Sequence, residues 1–135
     1  MARKQIATFL GPNPGLVTLG DHCYAYSGSF TASTTSTTRL LFTTGKYYIV
    51  GEFRLAGMID LATPANGRIG TMTVKLNNNT VLVDKTDAAE EDMPSANVSP
   101  IIIPPLTEVE VISDSNDTDA NYIGSISLTG RVYDA

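Results

Sequence analysis

Residues that build enzyme sites are scarce in this chain of 135 residues, which has one cysteine, one histidine and no tryptophan. A single cysteine excludes an intrachain disulfide, and a single histidine excludes a zinc site of the usual kind. His22 and Cys23 are neighbours on a predicted strand, so their side chains point to opposite faces and cannot form a nucleophile–base pair. The sequence therefore predicts a protein that is not an enzyme and holds no cofactor.

Charged residues are also few, at 17% of the chain, where about a quarter is usual for a soluble domain. The net charge is −5, and basic residues form no cluster. Phosphate contacts need lysine and arginine, so the sequence argues against nucleic acid as a partner. Residues 1–75 hold seven cations and three acids, whereas residues 76–135 hold two cations and eleven acids. We expect this asymmetry to give either two differently charged faces or head-to-tail packing of identical copies.

Long apolar runs are missing as well. No stretch approaches the roughly 20 apolar residues of a membrane helix, and the first ten residues lack the apolar centre of a signal peptide. The sequence predicts synthesis in a cytosol and no membrane partner.

What is present is alternation with a period of two, which is typical of strands with one buried face. It is clearest over residues 47–55, 70–76 and 125–133, and shorter apolar strands are predicted over 40–42, 81–83 and 98–103. Residues 24–30 form a weaker candidate. Thr44-Gly45 and Asn77-Asn78-Asn79 predict tight turns. Longer loops are expected over 57–69, 86–97 and 114–121, with a single helical turn at 87–93.

Pro104-Pro105 stands between the apolar run Ile101-Ile102-Ile103 and the alternating segment 108–111. Proline removes a backbone donor and fixes φ, so this pair predicts a rigid corner between two strands. About eight strands joined by such turns favour an all-β fold, a single antiparallel sandwich of the jelly-roll type. We place this sandwich at residues 16–135, after an extended N-terminal arm at residues 1–15.

Two further candidates for function lie outside the alternating strands. Asp114, Asn116, Asp117 and Asp119 offer oxygen ligands in one loop, but calcium needs six to eight oxygens, so this loop is a weak metal candidate. The arm is first basic and then apolar, through Arg3, Lys4, Ile6, Phe9 and Leu10. Such a segment gains apolar burial by ordering on a neighbouring subunit.

The order of several short motifs resembles the complement- and tumour-necrosis-factor-like trimeric jelly rolls and, more closely, small virion proteins of tailed phages. The likeness covers roughly residues 15–133. It is carried by an opening Asp21-His22-Cys23-Tyr24-Ala25-Tyr26-Ser27-Gly28, a strand Phe42-Thr43-Thr44-Gly45, a corner Ile103-Pro104-Pro105-Leu106-Thr107 and an end Leu128-Thr129-Gly130-Arg131-Val132-Tyr133.

The resemblance implies a virion protein that decorates or cements the outside of a phage capsid, with the major capsid protein and two further copies of itself as partners. In that setting the arm is expected to anchor the protein to the capsid, and the outward tyrosines Tyr48 and Tyr133 are expected at the contact between copies. Two alternatives stay open. One is a receptor-binding or head-fibre module that recognises host glycans or proteins through the loops at 62–68 and 114–121. The other is a small cellular trimeric binding protein.

Overall fold

The computed structural model describes residues 15–60, 69–87, 96–116 and 122–134, and every regular element within these ranges is a strand. Nine strands follow one another along the chain: β1 (Val17–Leu19), β2 (His22–Thr31), β3 (Thr37–Thr43), β4 (Tyr47–Asp60), β5 (Ile69–Leu76), β6 (Asn79–Asp87), β7 (Ala96–Ile103), β8 (Glu108–Ser115) and β9 (Tyr122–Asp134). Across these ranges we find no helix with the length and apolarity to span a bilayer.

The strands form two antiparallel sheets. The five-stranded sheet has the order β1-β2-β9-β4-β7, and the four-stranded sheet has the order β3-β8-β5-β6. From β2 to β9 the chain lays down two interleaved four-stranded sets, which is the arrangement of a jelly roll. The predicted all-β sandwich is confirmed. Strand β1, which the sequence did not predict, adds a short edge beside β2.

The strand order bears on the first of the two expectations drawn from the charge asymmetry, that of two differently charged faces. In both sheets, strands from the basic part of the chain (β2 to β5) alternate with strands from the acidic part (β6 to β9). Within the described residues the two parts therefore interleave, and head-to-tail packing of copies stays a prediction. Lys75 on β5, for example, lies directly opposite Glu110 on β8. Opposite charges on neighbouring strands attract each other, so the alternation favours the fold itself.

One continuous apolar core fills the space between the sheets. From the five-stranded sheet, Ile49, Phe53 and Leu128 are completely buried, and from the four-stranded sheet Leu40 and Val111 face them with no exposed surface. Fully burying a side chain of this size stabilises the fold by about 1.5–3 kcal/mol. These residues occupy the inward positions that the period-two pattern predicts.

Several strands are longer than the sequence suggested. Strand β4 continues to Asp60, although a loop was expected from residue 57, and it pairs Ile59 with Ile123 after a register shift that follows Ala56. An irregularity of this kind adds residues to one strand and breaks the period of two, which hides the continuation from pattern analysis. Asp87, expected in a helical turn, ends strand β6. The rest of that turn, residues 88–93, lies outside the described ranges.

The proline corner is confirmed. Strand β7 ends at Ile103 in one sheet, and β8 begins at Glu108 in the other, so the corner carries the chain across the sandwich. The buried hydroxyl of Thr44 holds it in place, because Thr44 Oγ1 donates to the Pro104 carbonyl at 2.8 Å and accepts from the Thr107 amide at 2.9 Å. The Thr44 amide donates to the Thr107 carbonyl at 2.9 Å. The connection from β3 to β4 and the connection from β7 to β8 both pass between the sheets, and these hydrogen bonds join them to each other.

Arg39 forms a second connection between the sheets. Its Nε donates to Ser113 Oγ on β8 at 2.8 Å, and its Nη2 donates to the Thr31 carbonyl on β2 at 3.0 Å. The guanidinium carbon lies 4.2 Å from the centre of the Phe30 ring, a cation–π contact. Burial lowers the pKa of Arg39 from its ordinary value. The side chain remains charged because an arginine keeps its proton in proteins.

Candidate binding surface

His22 and Cys23 point away from each other, as their adjacent positions predict. The Cys23 side chain is buried in the core, whereas 64% of the His22 side chain is exposed. His22 Nε2 lies 3.5 Å from Asp21 Oδ1, its neighbour in sequence. Burial raises the pKa of the Cys23 thiol to about 11. The thiol is therefore protonated at neutral pH and a poor nucleophile.

Asp114, which was predicted in a loop, lies in strand β8, and the rest of the acidic segment is only partly described. Asp114 is exposed, and its Oδ2 accepts a hydrogen bond from Ser36 Oγ at 3.3 Å. Asn116 follows in the described part, whereas Asp117 and Asp119 lie outside it. Among the described residues, no three histidine, cysteine or acidic side chains gather where they could hold a metal ion. The proposal of a calcium loop stays a prediction.

Tyr48 and Tyr133 lie directly opposite each other on β4 and β9. Their rings stack with centres 5.4 Å apart and planes inclined by 18°. Tyr133 is 42% exposed, on the face of the five-stranded sheet that points away from the core. Arg3, Lys4, Ile6, Phe9 and Leu10 of the arm lie outside the described residues.

An open groove of about 580 Å³ crosses the middle of this outer face. Three strands build it, and the register places their outward residues in two rows. One row runs from His22 through Arg131 to Val50, and the next runs from Tyr24 through Thr129 to Glu52. The complete lining is His22, Cys23, Tyr24, Tyr26, Val50, Gly51, Glu52, Thr129, Gly130 and Arg131.

The strands below the groove meet at two facing glycines, Gly51 on β4 and Gly130 on β9. Their backbones approach so closely that a Cβ added to Gly51 would lie 2.4 Å from the Thr129 carbonyl oxygen. One added to Gly130 would lie 2.6 Å from the Val50 carbonyl oxygen. Only glycine fits both positions.

Two tyrosines of β2 lie along one side of the groove. Tyr24 and Tyr26 are two residues apart and therefore share a face of the strand. Their rings stack with centres 5.0 Å apart and planes inclined by 25°, and Tyr26 is 50% exposed. Tyr26 gives the groove an exposed aromatic side, and Glu52 lies across β9 on the far strand β4.

Sequence reasoning did not find this groove, because its residues come from three strands that are distant along the chain. The alternation of Tyr24 and Tyr26 was visible, and so were glycines at the centres of two predicted strands. Their convergence depends on β9 inserting between β2 and β4. A period-two pattern carries no information about which strands are neighbours.

The edge of the same sheet carries an apolar patch. Among the described residues strand β7 pairs only with β4, and there Ile102 lies directly opposite Val50. Ile102 is 63% exposed and Val50 is 41% exposed. Pro100, on the same edge strand, has no amide to offer to an added strand, which protects this edge from uncontrolled pairing.

No family model matches the sequence, and no curated protein matches it. Similar solved structures come from infectious bursal disease virus. VP2 in a subviral particle has a TM-score of 0.42 and 14% identity over 96% of this chain and 39% of that chain. Virus-derived T=1 particles give 0.39 with 15% identity over 94% of this chain and 36% of that chain. The T13 viral particle gives 0.38, also with 15% identity over 94% and 36%.

The chain thus spans less than two fifths of the length of the proteins in these viral and subviral particles. The jelly-roll assignment rests on the strand order and pairing within this chain.

Proposed function

We propose that this protein is a structural component of a virion, a decoration or cement protein that binds the outside of a phage capsid as a homotrimer and stabilises the shell. The observation that carries the proposal is the jelly-roll strand order, β2-β9-β4-β7 on β3-β8-β5-β6. Jelly rolls recur in viral capsid and lectin domains. Because a fold alone does not fix a function, the motif resemblance to small tailed-phage virion proteins supplies the rest of the support.

The resembling motifs occupy the structurally decisive parts of the sandwich. The opening motif begins one residue before β2, the Phe42–Gly45 motif leads from β3 toward β4, and the Pro104-Pro105 corner joins β7 to β8. The closing motif lies in β9 at the centre of the five-stranded sheet. The likeness therefore covers both connections that Thr44 fastens together. This is more support than scattered matches on the surface would give.

The rigid sandwich suits a role as a passive part of a shell. Neighbouring subunits need complementary surfaces and no chemistry. The outer face of the five-stranded sheet offers exposed apolar side chains at Val50, Ile102 and Tyr133. Contiguous exposed apolar surface of this kind is typical of protein interaction sites.

The arm is the proposed anchor. It precedes Gly15, next to β1 at the edge of the five-stranded sheet. An extended segment of 14 residues spans up to about 50 Å, which is far enough to reach a neighbouring capsid subunit. Burying Ile6, Phe9 and Leu10 there stabilises the contact at about 25 cal/mol per Å² of apolar surface. Arg3 and Lys4 add attraction to an acidic surface.

Co-sedimentation with capsids that lack the protein tests the proposal. We expect the full chain to bind in many copies per particle and to raise the temperature at which the shell disassembles. A variant lacking residues 2–10 should bind at least about tenfold more weakly. A second variant, in which Ile6, Phe9 and Leu10 are replaced by serine, keeps the charges of Arg3 and Lys4. Its loss of binding therefore measures the part that comes from apolar burial.

The outcomes are distinct. If the full chain does not bind capsids, the virion role is wrong. If it binds and the shortened chain binds equally well, the virion role stands and the anchor lies elsewhere on the sandwich. Val83→Ser is the control, because it removes exposed apolar surface from the four-stranded sheet and not from the arm. It should leave capsid binding unchanged.

A further inference from the structure

The aromatic side of the groove suits a ring with an apolar face and a polar rim. Tyr26 is half exposed and stacks on Tyr24, which leaves the outer face of the Tyr26 ring and its hydroxyl group accessible. An aromatic ring binds C–H groups across its face and hydrogen-bonds through its hydroxyl. Saccharide rings have this geometry, with C–H groups on their faces and hydroxyl groups around their edges.

The middle strand β9 and the far strand β4 supply hydrogen-bonding groups of both kinds to the groove. Glu52 accepts, the guanidinium of Arg131 donates in a fixed fork, and the Thr129 hydroxyl does both. All three are exposed, and the register sets Thr129 directly between Tyr24 and Glu52. Vicinal hydroxyl groups of a sugar pair well with such a mixture, because each hydroxyl both donates and accepts.

The size of the groove and the charged residues that line it favour a saccharide over a protein partner. The groove volume of about 580 Å³ lies in the range of small-molecule sites. It is open along the sheet, so a chain of sugar units can extend beyond it. Charged residues other than arginine are depleted at the centres of protein interfaces. Here Glu52 lies beside the glycine pair at the middle of the groove.

We propose that this groove is a saccharide-binding site, with Tyr24 and Tyr26 as the stacking platform and Glu52, Thr129 and Arg131 as the hydrogen-bonding groups. The site lies on the face of the five-stranded sheet, and none of its residues belongs to the segments 62–68 and 114–121. Of the exposed apolar residues proposed for contact with other subunits, Val50 lines the groove, and Ile102 and Tyr133 do not. A capsid-bound copy of the protein with this groove facing outward would hold the particle near glycan-coated surfaces.

The test is an NMR titration of the full chain with lactose, chitotriose, maltotriose and 3′-sialyllactose, which sample neutral, N-acetylated and acidic sugars. We expect at least one of them to shift the amide signals of Gly51 and Gly130, which lie in the groove floor. Tyr26→Ala should weaken that binding at least about tenfold. Tyr26→Phe should retain most of it, because the ring remains, and Glu52→Gln should weaken it.

Val83→Ala, which removes an equally exposed apolar side chain from the opposite sheet, is the matched control and should leave binding unchanged. Thermal melts will show whether each variant is folded. The proposal is overturned if none of the four sugars shifts these amides at millimolar concentration, or if the shifts lie only in the loops. Capsid co-sedimentation is unaffected by either result, so this proposal and the virion role fail separately.

Discussion

At the scale of single residues, the Thr44 side chain fixes the position of the proline corner. One buried hydroxyl donates to the Pro104 carbonyl and accepts from the Thr107 amide, and so joins two crossings between the sheets. A buried polar group left without a partner costs far more than the average hydrogen bond contributes. The proline corner, rigid by itself, depends on this side chain for its place on the sandwich.

Thr44→Val therefore should lower the free energy of unfolding by about 1–3 kcal/mol, because the Thr107 amide loses its side-chain acceptor in a dry site. Chemical denaturation measures the change. The control is Thr43→Val, the exposed neighbour, for which we expect a change within about 0.5 kcal/mol. Equal effects of the two substitutions would contradict the role given to the Thr44 hydroxyl.

At the scale of elements, the contact between β4 and β9 is the centre of the five-stranded sheet. Twelve residue pairs connect these strands, from Tyr47↔Asp134 to Asp60↔Tyr122. The facing glycines Gly51 and Gly130 allow the two backbones to approach closely, and both line the groove. The packing of these strands and the proposed binding site thus share the same two residues.

Gly51→Ala should destabilise the protein by about 2–3 kcal/mol, because the new methyl group would collide with the Thr129 carbonyl oxygen, which belongs to the backbone and cannot rotate away. Thermal or urea unfolding measures the loss. Glu52→Gln, one residue further along the same strand but on the exposed face, should change stability by less than about 0.5 kcal/mol. A fully stable Gly51→Ala protein would show that the strands can separate there at little cost.

The hairpin between β5 and β6 shows how an element is fixed from both ends. Asn77 and Asn78 form a two-residue turn with φ of 49° and 67°, values that asparagine tolerates better than most residues. Asn77 also bonds to Glu108 on β8 through its amide at 2.8 Å and its Oδ1 at 2.9 Å. The turn is therefore held both by local conformation and by its neighbour in the sheet.

At the scale of the whole molecule, the two outer faces differ. The five-stranded sheet presents tyrosine, valine and isoleucine around the groove, whereas the exposed large apolar residues of the four-stranded sheet are aliphatic, namely Leu41, Val81 and Val83. Closed rings of identical subunits use two different patches that fit each other. Because opposite charges interleave within each subunit, apolar surface and not a separation of charge is the basis on which we expect copies to associate.

We expect a native mass of about 43 kDa, three times the 14.4 kDa of one chain. Tyr133→Asp should shift the protein toward the single-chain mass, because it places a charge in the proposed contact beside Tyr48. Native mass spectrometry measures both. Leu41→Asp, at a similarly exposed position on the other sheet, is the control and should leave the assembly intact. A wild-type protein of 14.4 kDa would exclude the trimer.

The sequence by itself determined the fold class and most of the strands. Period-two alternation fixes which side chains of β4, β5 and β9 face the core, because a strand turns its side chains to alternate sides. Proline and asparagine fix the corner and the hairpin turn through their backbone preferences. These are local effects, and a linear pattern expresses them fully. Strand β1 and the end of β4 were not predicted. Strand β1 has only three residues, and the register shift in β4 interrupts the period of two.

Only the tertiary structure decided which strands are neighbours. The insertion of β9 between β2 and β4 brings Tyr24, Thr129 and Glu52 into one row and converts two separate glycines into the floor of a groove. The same interleaving places strands of the acidic part of the chain beside strands of the basic part. The physical reason is that antiparallel pairing over long separations is selected by the shared core between two sheets, and that core exists only once the whole chain has folded.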